Sequence, residues 1–255
     1  MSFAHLHTHT AFSLLDGEGT VKKTLDRAKE LGQTAMAITD HGCMFGVIDF
    51  YEYARSIGIK PILGCEVYVA ARTRHDKDHA LDASSSHLIL LAKNNIGYKN
   101  LMNIVSIGYI EGFYYKPRID MEVLRENSEG IIALSACMIG VLSKKILAND
   151  YDGAKQSALE FIDIFGRENY YIEIQDHGIY EQKRLNSELI RLARELDLGV
   201  VATNDIHYVM REDAEYQDIL MCIQTGKTVN DADRMKMSTD AMYVKSEDEM
   251  RELFA

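Results

Sequence analysis

The sequence predicts a parallel α/β fold that closes into a barrel of about seven β/α units. Short apolar runs typical of strands alternate with longer amphipathic segments typical of helices along almost the whole chain. Polar residues gather where several of these strands end, which favours a barrel over an open sheet because the strand ends then share one rim. With two prolines in 255 residues and no linker-like tract, we expect a single continuous domain.

The elements can be read in order from hydrophobic periodicity. In the first predicted helix, Val21, Leu25, Ala28 and Leu31 are spaced to share one face. The predicted strands are 3–9, 35–39, 62–70, 88–92, 131–134, 170–174 and 200–203, and the predicted helices are 21–31, 47–57, 98–108, 141–147, 154–165 and 182–196. After His207 the alternation gives way to a helix over 214–223 and a polar tail containing 243–245 and 246–254.

Charge and cysteine content limit the function classes. A net charge of −11 makes the chain a poor stand-alone nucleic-acid binder, since phosphate neutralisation needs a basic surface. The acidity is compatible with a site in which bound cations supply positive charge, or with a larger assembly whose other parts hold the polyanion. The four scattered cysteines are predicted to be free thiols in a reducing compartment, and each could ligate a metal ion. We find no membrane span or signal peptide and expect a cytoplasmic protein without a membrane partner.

The first predicted strand carries His5, His7 and His9 at every second position. Side chains alternate along an extended segment, so the three imidazoles share one face. Such a face normally carries aliphatic residues, and divalent metal is the commonest reason for imidazoles there. A purification tag is the alternative, although a tag would be a contiguous run.

Further potential ligands lie at the ends of other strands. Taken singly, each has an ordinary interpretation: a turn or helix cap, an ion-paired strand residue, or a small buried thiol. Together they favour a multinuclear metal site at one rim, although His87 precedes its apolar run and fits the pattern less well. These residues are His41 in Asp-His-Gly, Glu66 within an apolar strand, His87, Cys137, and the pair Asp205 and His207.

These motifs resemble the PHP (polymerase and histidinol phosphatase) family. Within it, they are similar to the branch found in bacterial replicative DNA polymerases, the DNA polymerase III alpha subunits. The resemblance runs essentially from end to end and rests on His-Leu-His-Thr-His-Thr-Ala-Phe-Ser-Leu-Leu-Asp-Gly (5–17), Thr-Asp-His-Gly (39–42), Gly-Cys-Glu-Val-Tyr-Val (64–69), His-Leu-Ile-Leu-Leu-Ala-Lys-Asn (87–94), Gly-Phe-Tyr-Tyr-Lys-Pro-Arg-Ile (112–119), Leu-Ser-Ala-Cys (134–137) and Thr-Asn-Asp-Ile-His-Tyr (203–208).

The resemblance implies a distorted (β/α)7 barrel of the PHP type with up to three divalent metal ions. Zinc or manganese would be expected, with iron as a further option. The implied first metal takes His7, His9, Glu66 and Asp205; the second takes Glu66 as a bridge with His87 and Cys137; the third takes Asp16, His41 and His207. The residues expected to take part in catalysis are Asp16, His41, Glu66, Asp205 and His207. His5 is not a motif ligand.

Other polar residues have two interpretations each. Lys116 and Arg118 are candidates for holding a substrate phosphate, and Tyr114 or Tyr115 for stacking on a base; the alternative is a solvated loop with its tyrosines packed on the barrel. Asp40 either orients a ligand imidazole or caps a turn. His177 lies at the mouth or caps the following helix.

The sequence therefore predicts a metal-dependent phosphoesterase. The first hypothesis is a proofreading 3′→5′ exonuclease that attacks the terminal phosphodiester at a DNA 3′ end with metal-bound hydroxide. The expected partners are a polymerase core in the same full-length chain, whose connection begins within 210–255, and other replisome subunits. The alternatives are a small-molecule phosphomonoesterase of the histidinol-phosphatase type and a non-catalytic, metal-stabilised docking module.

Overall fold

The computed structural model describes residues 3–254 as a curved eight-stranded sheet with helices on its outer face. The strands are β1 (Ala35–Ile38), β2 (Lys60–Ala70), β3 (Ser85–Ala92), β4 (Phe113–Tyr114), β5 (Lys116–Ile119), β6 (Ile131–Leu134), β7 (Tyr170–Ile174) and β8 (Gly199–Ala202). The helices are α1 (Val21–Glu30), α2 (Val47–Ser56), α3 (His79–Asp82), α4 (Asn95–Ile110), α5 (Met121–Glu126), α6 (Val141–Leu147), α7 (Tyr151–Phe165), α8 (Tyr180–Leu196), α9 (Ala214–Thr225) and α10 (Glu247–Leu253).

The N-terminal segment closes the sheet into a ring. The strand order is β4-β5-β2-β3-β6-β7-β8, with β1 beside β2. Between β1 and the residues that follow β8, the N-terminal segment forms isolated parallel bridges, His5 with Met36 and Thr8 with Ile206. The predicted strand 3–9 is thus present as bridges rather than as a continuous ladder, and the predicted α/β barrel is confirmed.

The sheet is mixed, so the expectation of a wholly parallel barrel was wrong. β3 runs antiparallel to both β2 and β6. A parallel return needs a long crossover, usually a helix, whereas the connection 71–84 contains only the four-residue α3. Because β3 runs in the opposite direction, its first residues lie beside the far end of β2, where His87 pairs with Tyr68. This places His87 at the same rim as the other candidate ligands, although it precedes its apolar run.

Register separates the two faces of the sheet. Residues directly opposite each other on neighbouring strands share a face. Cys65, Leu90 and Ala133 are in register and belong to the large core beneath α4, α7 and α8. Glu66 pairs with Ile89 and therefore faces the barrel interior. Beneath it lies a small apolar layer that includes Ile89, Leu91 and Leu134. Glu66 is fully buried there, so its carboxylate is shielded from bulk solvent.

Most predicted elements appear close to their predicted bounds, and α6 matches its prediction residue for residue. The hairpin β4–β5 was not predicted. Its turn has a single residue, Tyr115, in the left-handed region with φ of 60°. Glycine or asparagine usually marks such a turn, so the sequence carried no turn signal there.

The C-terminal part of the described chain packs back onto the N-terminal segment. Tyr208 forms a bridge with Tyr243, and the Lys245 carbonyl accepts a hydrogen bond from the His5 imidazole at 2.8 Å. The Phe3 backbone N–H donates to the Glu247 carboxylate at 2.9 Å. Within residues 3–254, none of the helices combines the length and apolar character that crossing a bilayer would require.

Candidate metal centre

The candidate ligands come together at one end of the barrel. They come from six different parts of the ring, so the closure of the barrel creates the site. Glu66 lies on β2 and His87 on β3, His41 follows β1, Cys137 follows β6, Asp205 and His207 follow β8, and His7, His9 and Asp16 belong to the N-terminal segment.

The deepest part of the site, which we call the floor, consists of His7, His9, Glu66 and Asp205. All four side chains are buried. The Nε2 atoms of His7 and His9 are 3.0 Å apart and lie 3.1 and 3.2 Å from Asp205 Oδ1. Glu66 Oε1 is 3.4 Å from His7 Nε2 and Glu66 Oε2 is 3.8 Å from His9 Nε2. The four groups implied for the first metal therefore face one common point.

The second implied group shares Glu66 with the floor. His87 Nδ1 lies 2.8 Å from Glu66 Oε1 and 3.6 Å from Cys137 Sγ. The ligand atoms of these three residues all lie within 4.8 Å of one another. Glu66 thus belongs to both the first and the second implied group.

The third implied group lies toward the outside. His41 Nε2 is 3.4 Å from Asp16 Oδ2, and the His41 ring stacks on His9 with centroids 3.8 Å apart. His207 donates from Nδ1 to the Asp205 carbonyl at 2.8 Å, which leaves its Nε2 free to ligate. The ligand atoms of His9, His41 and His207 also lie within 4.8 Å of one another.

These side chains fit a divalent cation. Among the described residues, both Glu66 oxygens, both His41 ring nitrogens and Asp205 Oδ1 are buried and lie close to other candidate ligands, yet none of them makes a well-aligned hydrogen bond. Leaving such atoms unpaired costs free energy, which a shared cation offsets. Imidazole nitrogens and carboxylate oxygens suit zinc and manganese, and the Cys137 sulfur favours zinc at its position.

Charge coupling between the carboxylates and the imidazoles shifts the pKa values of these candidate ligands in different directions. Burial raises the pKa of Glu66, but the nearby His87 and His41 imidazoles hold it well below its ordinary value. Burial also raises the pKa of Asp205, but the nearby His7 and His207 imidazoles lower it well below its ordinary value.

Burial, together with His41 and His207, lowers the pKa of His9 to about 3. Although burial also lowers the pKa values of His7 and His41, Asp205 raises the pKa of His7 well above its ordinary value and Glu66 raises that of His41 to about 10. A cation would therefore displace protons from these two imidazoles, whereas the carboxylates and His9 already have the protonation states that ligation requires.

Glu173 is a functional candidate that the sequence analysis missed. The His7 Nδ1–H donates to Glu173 Oε1 at 2.7 Å. The same oxygen accepts from the Thr203 hydroxyl at 2.5 Å and the Gln175 amide at 2.9 Å. This buried carboxylate fixes the tautomer and orientation of His7, so that Nε2 faces the floor. The available signal was the one that revealed Glu66: a carboxylate interrupting the apolar strand Tyr-Tyr-Ile-Glu-Ile.

Asp40 has the capping role rather than a direct contact with the His41 ring. Its carboxylate accepts from the Thr10 backbone N–H and from the Ser13 hydroxyl, each at 2.6 Å. The Ser13 hydroxyl oxygen lies 3.4 Å from His9 Nδ1, so Asp40 supports the floor through the turn.

His5 and His177 lie outside the cluster of candidate ligands. His5 donates from Nε2 to the Lys245 carbonyl at 2.8 Å, and burial lowers its pKa to about 4. The His177 Nε2–H donates to the Asn204 carbonyl at 3.0 Å, while its Nδ1 accepts from the Gln182 amide at 2.9 Å. Both imidazoles therefore serve local packing.

The predicted substrate-binding residues divide in the structure. Lys116 lines a cleft of about 170 Å³ that also borders Asp16 and His41, and its ammonium lies 5.3 Å from the Tyr68 ring centroid. Arg118 is not brought to the site: it is 1% exposed, and its guanidinium donates to the backbone carbonyls of residues 74, 76, 82 and 112. Those contacts argue against the predicted phosphate contact. Tyr115 is exposed at the hairpin tip, where its ring lies against Tyr114.

Three candidate ligands are held by unusual backbone. Asp205 itself has φ of 46°, Ala136 before Cys137 has φ of 64°, and Leu15 before Asp16 has φ of 65°. Non-glycine residues rarely adopt this region, and such strain concentrates at functional sites. The positions of these ligands are therefore maintained against a local conformational cost.

Comparison with known proteins agrees with this geometry. The family model of the PHP domain matches residues 5–177. The chain is 48% identical over 253 residues to the DNA polymerase III subunit alpha of Borreliella burgdorferi, and 47% identical over 255 residues to that of Treponema pallidum. These alignments cover 99% and 100% of the chain but 22% of each relative. The chain thus spans about a fifth of the length of the curated relatives it matches.

Solved structures share the fold at low sequence identity. An amidohydrolase from Chromobacterium violaceum, with bound sulfate and no metal, aligns with a TM-score of 0.54 at 16% identity, covering 80% of this chain and 87% of that one. A candidate metal-dependent phosphoesterase from Bifidobacterium adolescentis aligns with a TM-score of 0.50 at 16% identity, covering 98% and 95%. These similarities establish the barrel architecture.

Proposed function

The chain belongs to the PHP domain family, and from that premise we propose that it hydrolyses phosphodiesters with bound divalent metal, removing nucleotides from the 3′ end of DNA. One observation carries the proposal: all nine candidate ligands lie at one rim, and each is close to at least one other candidate ligand. Seven of them fall into three overlapping groups that share His9 and Glu66. The other two ligands lie beside these groups: the Asp205 carboxylate is 3.1 Å from His7 Nε2, and the Asp16 carboxylate is 3.4 Å from His41 Nε2.

The residues that would hold the metals are the nine already described. When bound, the ions would acidify a water molecule, neutralise phosphate oxygens and stabilise the departing alkoxide. Asp16 and His41 line the cleft through which substrate would arrive, and Lys116, which lines the same cleft, would contact a phosphate there. The floor, in contrast, is closed to substrate because its side chains are buried.

Similarity to much longer polymerase subunits suggests the wider context. We place the chain as one domain of a bacterial replicative polymerase in the cytoplasm, with residues 210–255 beginning the connection to the polymerase core. A DNA 3′ end and other replisome subunits would then be its partners.

The direct test is excision. Purified protein is incubated with zinc or manganese and single-stranded DNA labelled at its 3′ end. We expect progressive release of nucleotides from that end, abolished by chelator and by His9→Ala. Absence of release above the His9→Ala background would overturn the proposal. Release of phosphate from small monoesters without cleavage of DNA would select a phosphatase of the histidinol-phosphatase type instead.

The burial of the floor favours a second candidate, a metal-stabilised structural module. Ions bound at a thousandfold excess over their Kd would stabilise the fold by about 4 kcal/mol. For a chain of this size, chelation would then lower Tm by about 8–16 °C. Such a fall measured together with absent nuclease activity would favour the structural role, whereas excision activity would exclude a purely structural one.

A further inference from the structure

We propose that three aromatic side chains beside the metal centre form a stacking track for the terminal bases of single-stranded nucleic acid. This aromatic row consists of Phe45, Tyr109 and Phe113. The proposal rests on the proposed function, because it names how the same site would recognise its substrate.

The aromatic row is exposed although its members are large. Phe45, Tyr109 and Phe113 are 58%, 40% and 50% exposed. Their ring centroids follow one another at 6.3 and 6.2 Å. The three rings come from different parts of the chain: the loop after β1, the end of α4, and β4. Neighbouring exposed rings from separate elements form an apolar patch, and such patches mark binding sites.

The row is continuous with the metal centre. Phe45 and Tyr109 line the same cleft as Asp16, His41 and Lys116. A strand whose last phosphate lay near His41 would therefore have Lys116 beside its backbone and aromatic rings beside its bases. Every nucleobase has a π-face, so this arrangement suits single-stranded nucleic acid of any base sequence.

Close packing fixes the elements that carry the row. A Cβ at Gly42, where φ is +62°, would lie 2.7 Å from the Tyr68 ring and 2.9 Å from Pro117. A Cβ at Gly108 would lie 3.2 Å from the Pro117 carbonyl oxygen. The β4–β5 hairpin is thus held directly against the His41 loop and against α4. The row and Lys116 therefore have a defined spacing from the candidate ligands.

The overall charge favours stacking as the source of affinity. With a net charge of −11, the chain cannot rely on general attraction to phosphate. Stacking is worth roughly 5- to 150-fold in affinity per base, and it needs bases that are not already stacked in a duplex. The row therefore fits a single strand.

The test compares binding of two oligonucleotides labelled at the 5′ end. One is an oligothymidylate, and the other has the same length but lacks the bases of its last three nucleotides. Fluorescence anisotropy with the 255-residue chain should show at least tenfold tighter binding of the first oligonucleotide. Phe45→Ala and Tyr109→Ala should lower the affinity for oligothymidylate nearly to that for the oligonucleotide without terminal bases. Tyr109→Phe should retain the preference for oligothymidylate. Tyr180→Ala, a matched change of an 83% exposed tyrosine on α8, should leave it unchanged.

The outcomes separate this inference from the proposed function. Equal or undetectable binding of the two oligonucleotides by the wild-type chain would overturn the stacking track. Row variants that keep the preference would also overturn it, leaving the row as a surface for another protein. A base preference that depends on the row, without any release of nucleotides, would support the track and overturn the exonuclease instead.

Discussion

The floor of the metal centre and its open edge are built in different ways. At the floor, His7, Glu66 and Asp205 have side chains 0%, 1% and 8% exposed. At the edge, Asp16 and His41 are 31% and 12% exposed, and they face the cleft that contains Lys116. The floor is oriented by buried hydrogen bonds such as that from His7 to Glu173. The edge, in contrast, lies on loops next to the cleft that the β4–β5 hairpin borders.

From this difference we expect the floor to bind the ions and the edge to contact the substrate. Buried, mutually oriented ligands are suited to hold ions tightly, because their geometry does not depend on solvent-exposed loops. Exposed groups beside a cleft are suited to meet substrate. Changes at the floor should therefore alter metal affinity first, and changes at the edge should alter substrate handling while the metals stay bound.

The largest effect is expected at Glu66. Glu66→Gln keeps the side-chain volume but removes the negative charge among four imidazoles, so the ions lose the ligand that joins their sites. We expect a fall in excision of about 100-fold or more, together with loss of bound metal in elemental analysis. Asp16→Asn at the edge is the comparison and should retain most of the metal. A full metal complement in Glu66→Gln would contradict the assignment of the floor.

A smaller effect is expected at Glu173, which does not face the ions. Glu173→Gln weakens the acceptor for His7 Nδ1–H and should lower metal affinity by about 10- to 100-fold, measured by competition with a chromogenic chelator. The Tm of the metal-free protein should change little, since the glutamine can still hydrogen-bond. Glu129→Gln, on an exposed loop, is the matched control. Unchanged affinity in Glu173→Gln would show that His7 needs no such support.

The smallest effect is expected at Lys116. Lys116→Met removes one partly solvated charge from the cleft and should raise KM for DNA by about fivefold, near 1 kcal/mol, with Tm and metal content unchanged. Arg118→Met on the same strand should instead lower Tm and leave KM for DNA nearly unchanged. It leaves four backbone carbonyls without their donor, so Tm should fall while metal ligation is retained. Equal effects of the two substitutions on KM would remove the distinction drawn between them.

Much of the site was predictable because its signals are local. A histidine or aspartate at the end of an apolar run, as at His41 and Asp205, or a glutamate within one, as at Glu66, can be recognised from side-chain chemistry and spacing alone. Glu173 carried a similar signal but belonged to no quoted motif. Its role is visible only through His7, a partner 166 positions away in the chain.

The sequence by itself determined the alternation of strands and helices and the residue types that gather at the rim, because both follow from periodicity and chemistry within a few residues. Tertiary structure alone decided the antiparallel direction of β3, which brings His87 to Glu66, and the burial of Arg118 beneath four carbonyls. It also decided that Phe45, Tyr109 and Phe113 form one row. These features depend on which distant segments meet when the barrel closes, and local propensity does not encode those contacts.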